Sequence, residues 1–152
     1  KHFTISTVRG DFDKTEGKVV IDEADVTRST VEATIDVTTI STRDAKRDGH
    51  LKSPDFFDAA KFPTITFKST KVIFEGDKPA KVEGNLTLKG VTKPVTLTVT
   101  SFQAMPHPML KKDAIGANAY TVVKRSEFNA GKYAPNVGDE VRIDIGLEAI
   151  KE

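Results

Sequence analysis

A chain of 152 residues has room for one domain with its own core and too little for two. Its 23 Lys and Arg against 22 Asp and Glu leave a net charge of +1, which removes the electrostatic case for a nucleic-acid partner. The absence of cysteine excludes disulfides, thiolate catalysis and sulfur-ligated metals, and leaves the redox compartment open.

The dominant period along the chain is two, the spacing of half-buried strands. It predicts strands over 3–12, 16–22, 29–41, 63–74, 79–89, 94–103, 114–126 and 139–150. The opening residues Lys1-His2-Phe3-Thr4-Ile5 lack the apolar core of a signal peptide, and no run approaches the roughly 20 apolar residues of a membrane-spanning helix. The clearest alternation sets Val31, Ala33, Ile35 and Val37 on one face against Glu32, Thr34, Asp36 and Thr38 on the other. Ala80, Val82, Gly84, Leu86 and Leu88 repeat it, as do Val95, Leu97 and Val99, and then Val141, Ile143, Ile145 and Leu147. Each set turns one side of a strand to something dry and the other to water.

The stretch 42–62 breaks the rhythm and is the longest connection; loops above about 12 residues tend to be functional or disordered. Ser53 as an N-cap, with Pro54 at the first helical position, predicts a short helix or 3₁₀ turn over 53–60. Phe56 and Phe57 must bury, and the open end of a barrel is the apolar space available. Turns are expected at 76–79, 90–94 and 135–139, where Gly, Pro, Asn and Asp cluster. The irregular stretch 103–112 carries Met105, Pro106, Pro108, Met109 and Leu110, with the prolines ending the strand. Its Met and Leu suit a pliable apolar lip over an entrance, and equally a simple packed loop.

About eight amphipathic antiparallel strands joined by short turns can form a sandwich or close into a barrel, and closure alone removes free edges. The expectation is therefore an all-β fold, an extended antiparallel β-barrel with one short helix in the 42–62 connection, as a single domain over residues 1–152. Sequence pattern does not separate a barrel filled by its own side chains from one holding a small ligand. The inward set leans small, with no Trp and aromatics at 7%, which favours an elongated cavity. Its expected lining is Phe3, Ile5, Val8, Val31, Ala33, Ile35, Val37, Phe56, Phe57, Phe62, Ile65, Phe67, Leu86, Leu88, Val95, Leu97, Val99, Ile143 and Ile145.

Signals for chemistry are missing. His2, His50 and His107 are scattered without HxH or HExxH spacing, so no metal is expected. No GxSxG elbow and no GxxxxGK[ST] or GxGxxG loop occurs, and Asp22, Glu23 and Asp25 read as a solvated charged turn. No catalytic residue and no cofactor beyond a bound ligand is expected.

Several strings carry a resemblance. They are Ser6-Thr7-Val8-Arg9-Gly10-Asp11-Phe12, then Arg47-Asp48-Gly49-His50-Leu51-Lys52-Ser53-Pro54-Asp55-Phe56-Phe57-Asp58, then Phe62-Pro63-Thr64-Ile65-Thr66-Phe67-Lys68-Ser69. Gly84-Asn85-Leu86-Thr87-Leu88-Lys89-Gly90-Val91-Thr92 and Arg125-Ser126-Glu127-Phe128 follow. In this order and spacing the chain resembles the YceI family over essentially its whole length. The resemblance implies a lipocalin-like extended barrel that binds isoprenoid or other long amphiphilic chains, such as a polyprenyl phosphate or a quinone tail. It also implies a frequent homodimer and a binding protein rather than an enzyme.

Arg9, Arg47, His50 and Arg125 belong to these strings and can donate to an anionic or carbonyl oxygen, which makes them the headgroup candidates. The competing reading has Arg9, Arg47 and Asp48 in structural pairs or loop caps, with His50 structural too. Two departures from the family pattern stand out: an N-terminal segment usual ahead of the position of His2 is not here, and the usual Phe-Gly reads Phe128-Asn129. Two expectations stand side by side: a barrel lacking an edge segment, or a segment that belongs to the natural protein and is absent only from this chain. A bilayer solvates an isoprenoid about as well as such a cavity would, so transient membrane contact is expected. Family members occur in either compartment, and the periplasm is expected here, with the cytoplasm as the alternative. The alternative ligands are a fatty acid, a fatty amide or a haem-like molecule; the alternative function is a structural dimer with a filled core.

Overall fold

The computed structural model describes residues 1–152. In chain order the elements are β1 (Asp11–Phe12), β2 (Thr15–Val20), β3 (Thr30–Asp36), β4 (Ile40–Ser41), α1 (Ala45–Leu51), β5 (Thr64–Glu75), β6 (Lys78–Leu88), β7 (Val91–Pro106), β8 (Asp113–Lys124) and β9 (Glu140–Ile150). Seven strands form one antiparallel sheet in the order β2-β3-β5-β6-β7-β8-β9, while β1 pairs separately with β4. From β5 onward every strand lies beside its sequence neighbour, so this part is a meander.

Register puts the apolar alternation on one continuous face. Ala33 stands opposite Phe67, Phe67 opposite Leu86, Val82 opposite Leu97, Val99 opposite Ala119, and Ala119 opposite Ile145. Directly paired residues share a face, so the apolar set lies on one side across the sheet, interrupted by Lys93 opposite Leu86. Register shifts at Ser69/Lys71 and Ile73/Phe74 in β5, and at Val99/Ser101 in β7, are irregularities of the kind that bend a strand and increase its twist. The sheet curls into a half-barrel with that row inside. Val37, Ile65, Phe67, Val72, Val82, Leu86, Leu88, Leu97, Val123 and Phe128 make up most of its buried core.

The all-β, barrel-like fold with one short helix in the 42–62 connection is the one expected from the period of two. The curl has two edges, β2 and β9, carrying exposed Glu16, Lys18, Arg142, Asp144 and Glu148, charges that discourage edge pairing. At one corner Lys151 Nζ beyond β9 comes within 3.7 Å of Glu23 beyond β2.

Local polar chemistry redraws some boundaries. The strand expected over 3–12 shrinks to Asp11–Phe12, because Phe3 and Thr4 adopt φ of 48° and 59° and fold the chain back so that His2 bridges both Ser6 and Val137. The strand expected over 29–41 stops at Asp36, whose carboxylate accepts from the Thr38 amide (3.0 Å) and hydroxyl (2.6 Å) and caps a 3₁₀ turn at Val37–Thr39. The helix forms at Ala45–Leu51 rather than over 53–60, since Asp44 accepts the Arg47 amide at 3.0 Å as its N-cap. The Ser53 hydroxyl instead donates to the His50 carbonyl at 2.5 Å. Strand β7 passes through Pro94, where it is paired only with β6; pairing with β8 begins at Thr98, so the missing N–H faces no neighbour.

Candidate functional site

The concave face has a dry floor and accessible walls. Ile65, Phe67, Leu86, Leu88 and Leu97 are buried along the floor, and Val37 and Phe128, each 1% exposed, seal one end. Val31, Ala33 and Ile35 on β3, Val95 and Val99 on β7, Ala119 on β8, and Ile143 and Ile145 on β9 pack against that floor yet remain half-buried. The result is an apolar trough whose sides water still touches.

Most of the expected lining residues are thereby brought together, with clear exceptions. Phe3, Ile5 and Val8 are exposed at 52%, 87% and 43% and belong to no strand of the sheet, because the backbone reversal at Phe3 and Thr4 removed the strand that would have carried them. Val37 is sealed inside the packing. Phe56 and Phe57 come from the 42–62 connection rather than from a strand: Phe57 packs against the core and meets Phe12 edge-on at 5.8 Å, and Phe56 packs against His50 at 5.0 Å and Tyr133 at 5.9 Å. Phe62 is half-buried against the Gly90 turn, 2.8 Å from where a side chain there would begin.

Two features of the face escaped the sequence reading. Ile115, Ala117, Ala119, Thr121 and Val123 alternate on β8, but Tyr120 and Val122 on the opposite side blur the contrast. Lys93 stands opposite Leu86 in the β6–β7 register, an exposed charge at a position of the otherwise apolar inner row of β7. Its signal was a single lysine interrupting Val91, Val95, Leu97 and Val99.

At the sealed end three connections are tied together by the half-buried cations Arg125 and Lys89 and the exposed Lys132. Arg125 donates to the carbonyls of Gly138 (2.9 Å), Val137 (2.7 Å), Lys132 (3.2 Å) and Ala130 (2.5 Å). Burial pulls its guanidinium below the ordinary value, and the Asp139 carboxylate opposes that shift. Lys89 Nζ donates to the Pro54 and Asn129 carbonyls at 2.9 and 3.0 Å. Asp55 accepts from Lys132 Nζ (2.5 Å), His50 Nε2 (3.0 Å) and the Tyr133 hydroxyl (3.0 Å). These hydrogen bonds, Lys132 first, hold the Asp55 carboxyl far below the usual carboxylate range and raise the Lys132 ammonium in return.

Of the four headgroup candidates, three are engaged in this scaffolding. Arg47 donates from Nε to the Thr42 hydroxyl and from an Nη to the Thr42 carbonyl, both at 2.8 Å, while Asp48 accepts the Thr42 amide at 2.9 Å. Arg125 and His50 are engaged as described. Arg9 is exposed. At the opposite end of the sheet a groove of about 430 Å³ runs under the β7–β8 turn, with Phe102, Met105, His107, Ile115 and Leu147 in its lining.

The sequence profile of the YceI-like domain matches residues 1–149. The YceI protein of Salmonella newport is 36% identical over 152 residues, covering all of this chain and 78% of that protein. The Campylobacter jejuni YceI protein superposes with a TM-score of 0.84 at 28% identity, over 100% of this chain and 90% of that one. Burkholderia cenocepacia BcnA gives 0.79 at 28% identity, over 96% and 90%. A polyisoprenoid-binding domain from Saccharophagus degradans shares the fold with a TM-score of 0.64 at 17% identity, over 91% and 83%.

Proposed function

Because this chain belongs to the YceI-like family, we propose that its concave trough binds and carries a long apolar chain of isoprenoid type, a polyprenyl phosphate or a quinone tail, and that it performs no catalysis. The observation carrying this reading is the row of half-buried apolar walls, Val31, Ala33, Ile35, Val95, Val99, Ala119, Ile143 and Ile145, beside a floor that is already dry. A slim hydrocarbon laid along them removes the remaining apolar surface from water. Each buried CH₂ contributes about 0.8 kcal/mol, so one isoprene unit gains roughly 3–4 kcal/mol before the cost of ordering it. A protein of the same fold is a polyisoprenoid-binding domain, which is consistent with that occupant.

A phosphate or quinone oxygen must stay hydrogen-bonded or wet, since burying it unpaired costs several kcal/mol. Lys93, on the inner row yet exposed, and Arg9 are the cations we assign to the headgroup. Mass spectrometry of organic extracts from purified protein is the test. Co-purification of a prenyl chain, displaced by added polyprenyl phosphate, is expected. A fatty acid or fatty amide in its place would move the reading to another ligand class, and an empty extract with no rise in melting temperature on adding polyprenol or quinone would overturn it.

A further inference from the structure

The β7–β8 turn exposes more apolar surface at its apex than the other hairpin connections of the sheet, of which β2–β3 shows Ile21 and Val26 at 48% and 43%. Gly76-Asp77 and Lys89-Gly90 join their strands with polar or glycine residues, whereas the tip at 107–112 presents Met109 at 84% exposure and Leu110 at 53%. Two lysines follow directly, Lys111 and Lys112, both exposed and neither in an ion pair. Met105, 48% exposed, adds apolar surface at the foot of the turn. Exposed Met and Leu at the apex with cations just behind them is the layout of a segment that dips into the interfacial zone of a bilayer while its lysines meet acidic headgroups.

The tip is held in shape by one side chain. His107 Nδ1 accepts the backbone amides of Met109 (3.2 Å) and Leu110 (3.1 Å), and the His107 amide donates to the Lys112 carbonyl at 2.6 Å. An Nδ1 that accepts two N–H groups carries no proton, which puts the ring proton on Nε2, 3.5 Å from Glu148 Oε1. The ring therefore anchors the turn to β9 and aims Met109 and Leu110 outward. Of the acidic groups nearby, Glu148 faces His107 and Glu23 pairs with Lys151, while Asp113 is exposed at the base of the turn, behind the two lysines. The apolar inner row of β7 continues through Phe102 and Ala104 toward this turn, so the tip lies at the end of the sheet opposite the sealed one.

We propose that the 107–112 turn docks the protein on anionic lipid bilayers by inserting Met109 and Leu110, with Lys111 and Lys112 binding the headgroups and His107 acting as the positioning residue. This goes beyond the carrier reading and does not depend on the trough's occupant, since docking is read with vesicles alone.

The protein contains no tryptophan, so Met109→Trp creates a single emitter at the apex. With vesicles of phosphatidylcholine containing a fifth phosphatidylglycerol, at low salt, its emission is expected to shift to the blue and to be quenched by brominated acyl chains. Val122→Trp, at an exposed site on β8 away from the turn, is expected to do neither. Lys111→Glu with Lys112→Glu in the Met109→Trp background should weaken partitioning by roughly tenfold or more, and the effect should fade in high salt. His107→Ala should reduce the depth of quenching while leaving the melting temperature nearly unchanged. Absence of a blue shift and of quenching at every lipid composition, with circular dichroism showing the fold intact, would overturn the proposal. So would equal behaviour of the reporters at 109 and 122.

Discussion

A ring carbon of Phe67 lies 2.5 Å from the point where a side chain on Gly84 would begin, and the Lys68 carbonyl oxygen lies equally close. Ser69 stands directly opposite Gly84 and Phe67 lies two residues before it on β5, and the glycine lets the aromatic ring cross β6 and fill the centre of the floor. Gly84→Ala forces a methyl against both groups, one of them backbone that cannot step aside. A loss of about 1–3 kcal/mol is expected, read as a lower melting temperature. Phe67→Leu should not rescue it, because the Lys68 carbonyl clash remains.

Arg125 serves four backbone carbonyls from one planar group. Removing it leaves several of them without a donor where water reaches poorly, so Arg125→Ala should cost about 2–4 kcal/mol in urea unfolding. Arg125→Lys should recover less than half, since a single ammonium cannot reach carbonyls spread along 130–138. Ligand uptake in the folded fraction should be preserved, in contrast to what a headgroup role would give.

Asp55 sets an acid limit. Its folded-state carboxyl lies far below the ordinary value because Lys132, His50 and Tyr133 all donate to the charged form. A depressed carboxylate contributes stability that is fully present above the unfolded-state value near about 4 and is lost as pH falls toward the folded one. Melting temperature against pH should therefore drop below pH of about 4. Asp55→Asn should be less stable at neutral pH yet show a shallower acid slope; an unchanged slope would mean these hydrogen bonds do not persist in solution.

Ala119 is, with Ala33, one of the two smallest side chains among the half-buried walls, and it faces Val99 and Ile145 across its neighbouring strands. Ala119→Phe should occupy the volume a prenyl chain needs and weaken its binding by roughly tenfold or more, equivalent to excluding about two methylenes or more. Isothermal titration with a short polyprenol checks this. An unchanged affinity would place the ligand elsewhere.

Lys93 separates headgroup from tail. Lys93→Gln should lower affinity for a polyprenyl phosphate by roughly tenfold, the worth of one charge-assisted hydrogen bond. Affinity for the corresponding polyprenol should stay as it was. Equal losses for both would assign Lys93 to the scaffold instead.

Strand identity and facing were legible along the chain because alternation is a property of the extended backbone itself: Val31, Ala33 and Ile35 must share a side whatever they pack against. The same rule found β5, β6, β7 and β9 and set the class as all-β. Order and spacing of the motif strings likewise pointed to the YceI family before any coordinate. What alternation cannot convey is how far a neighbour brought from elsewhere covers each position. Leu86 and Ile143 read alike in sequence, but the first lies under Phe67 in the floor and the second lines an accessible wall. Arg9, Arg47 and Arg125 also read alike, and only tertiary structure decided that two of them are committed to carbonyls while one stays exposed. Buried polar groups take whichever partners the folded chain brings within about 3 Å, and those partners come from distant segments whose approach no local pattern encodes.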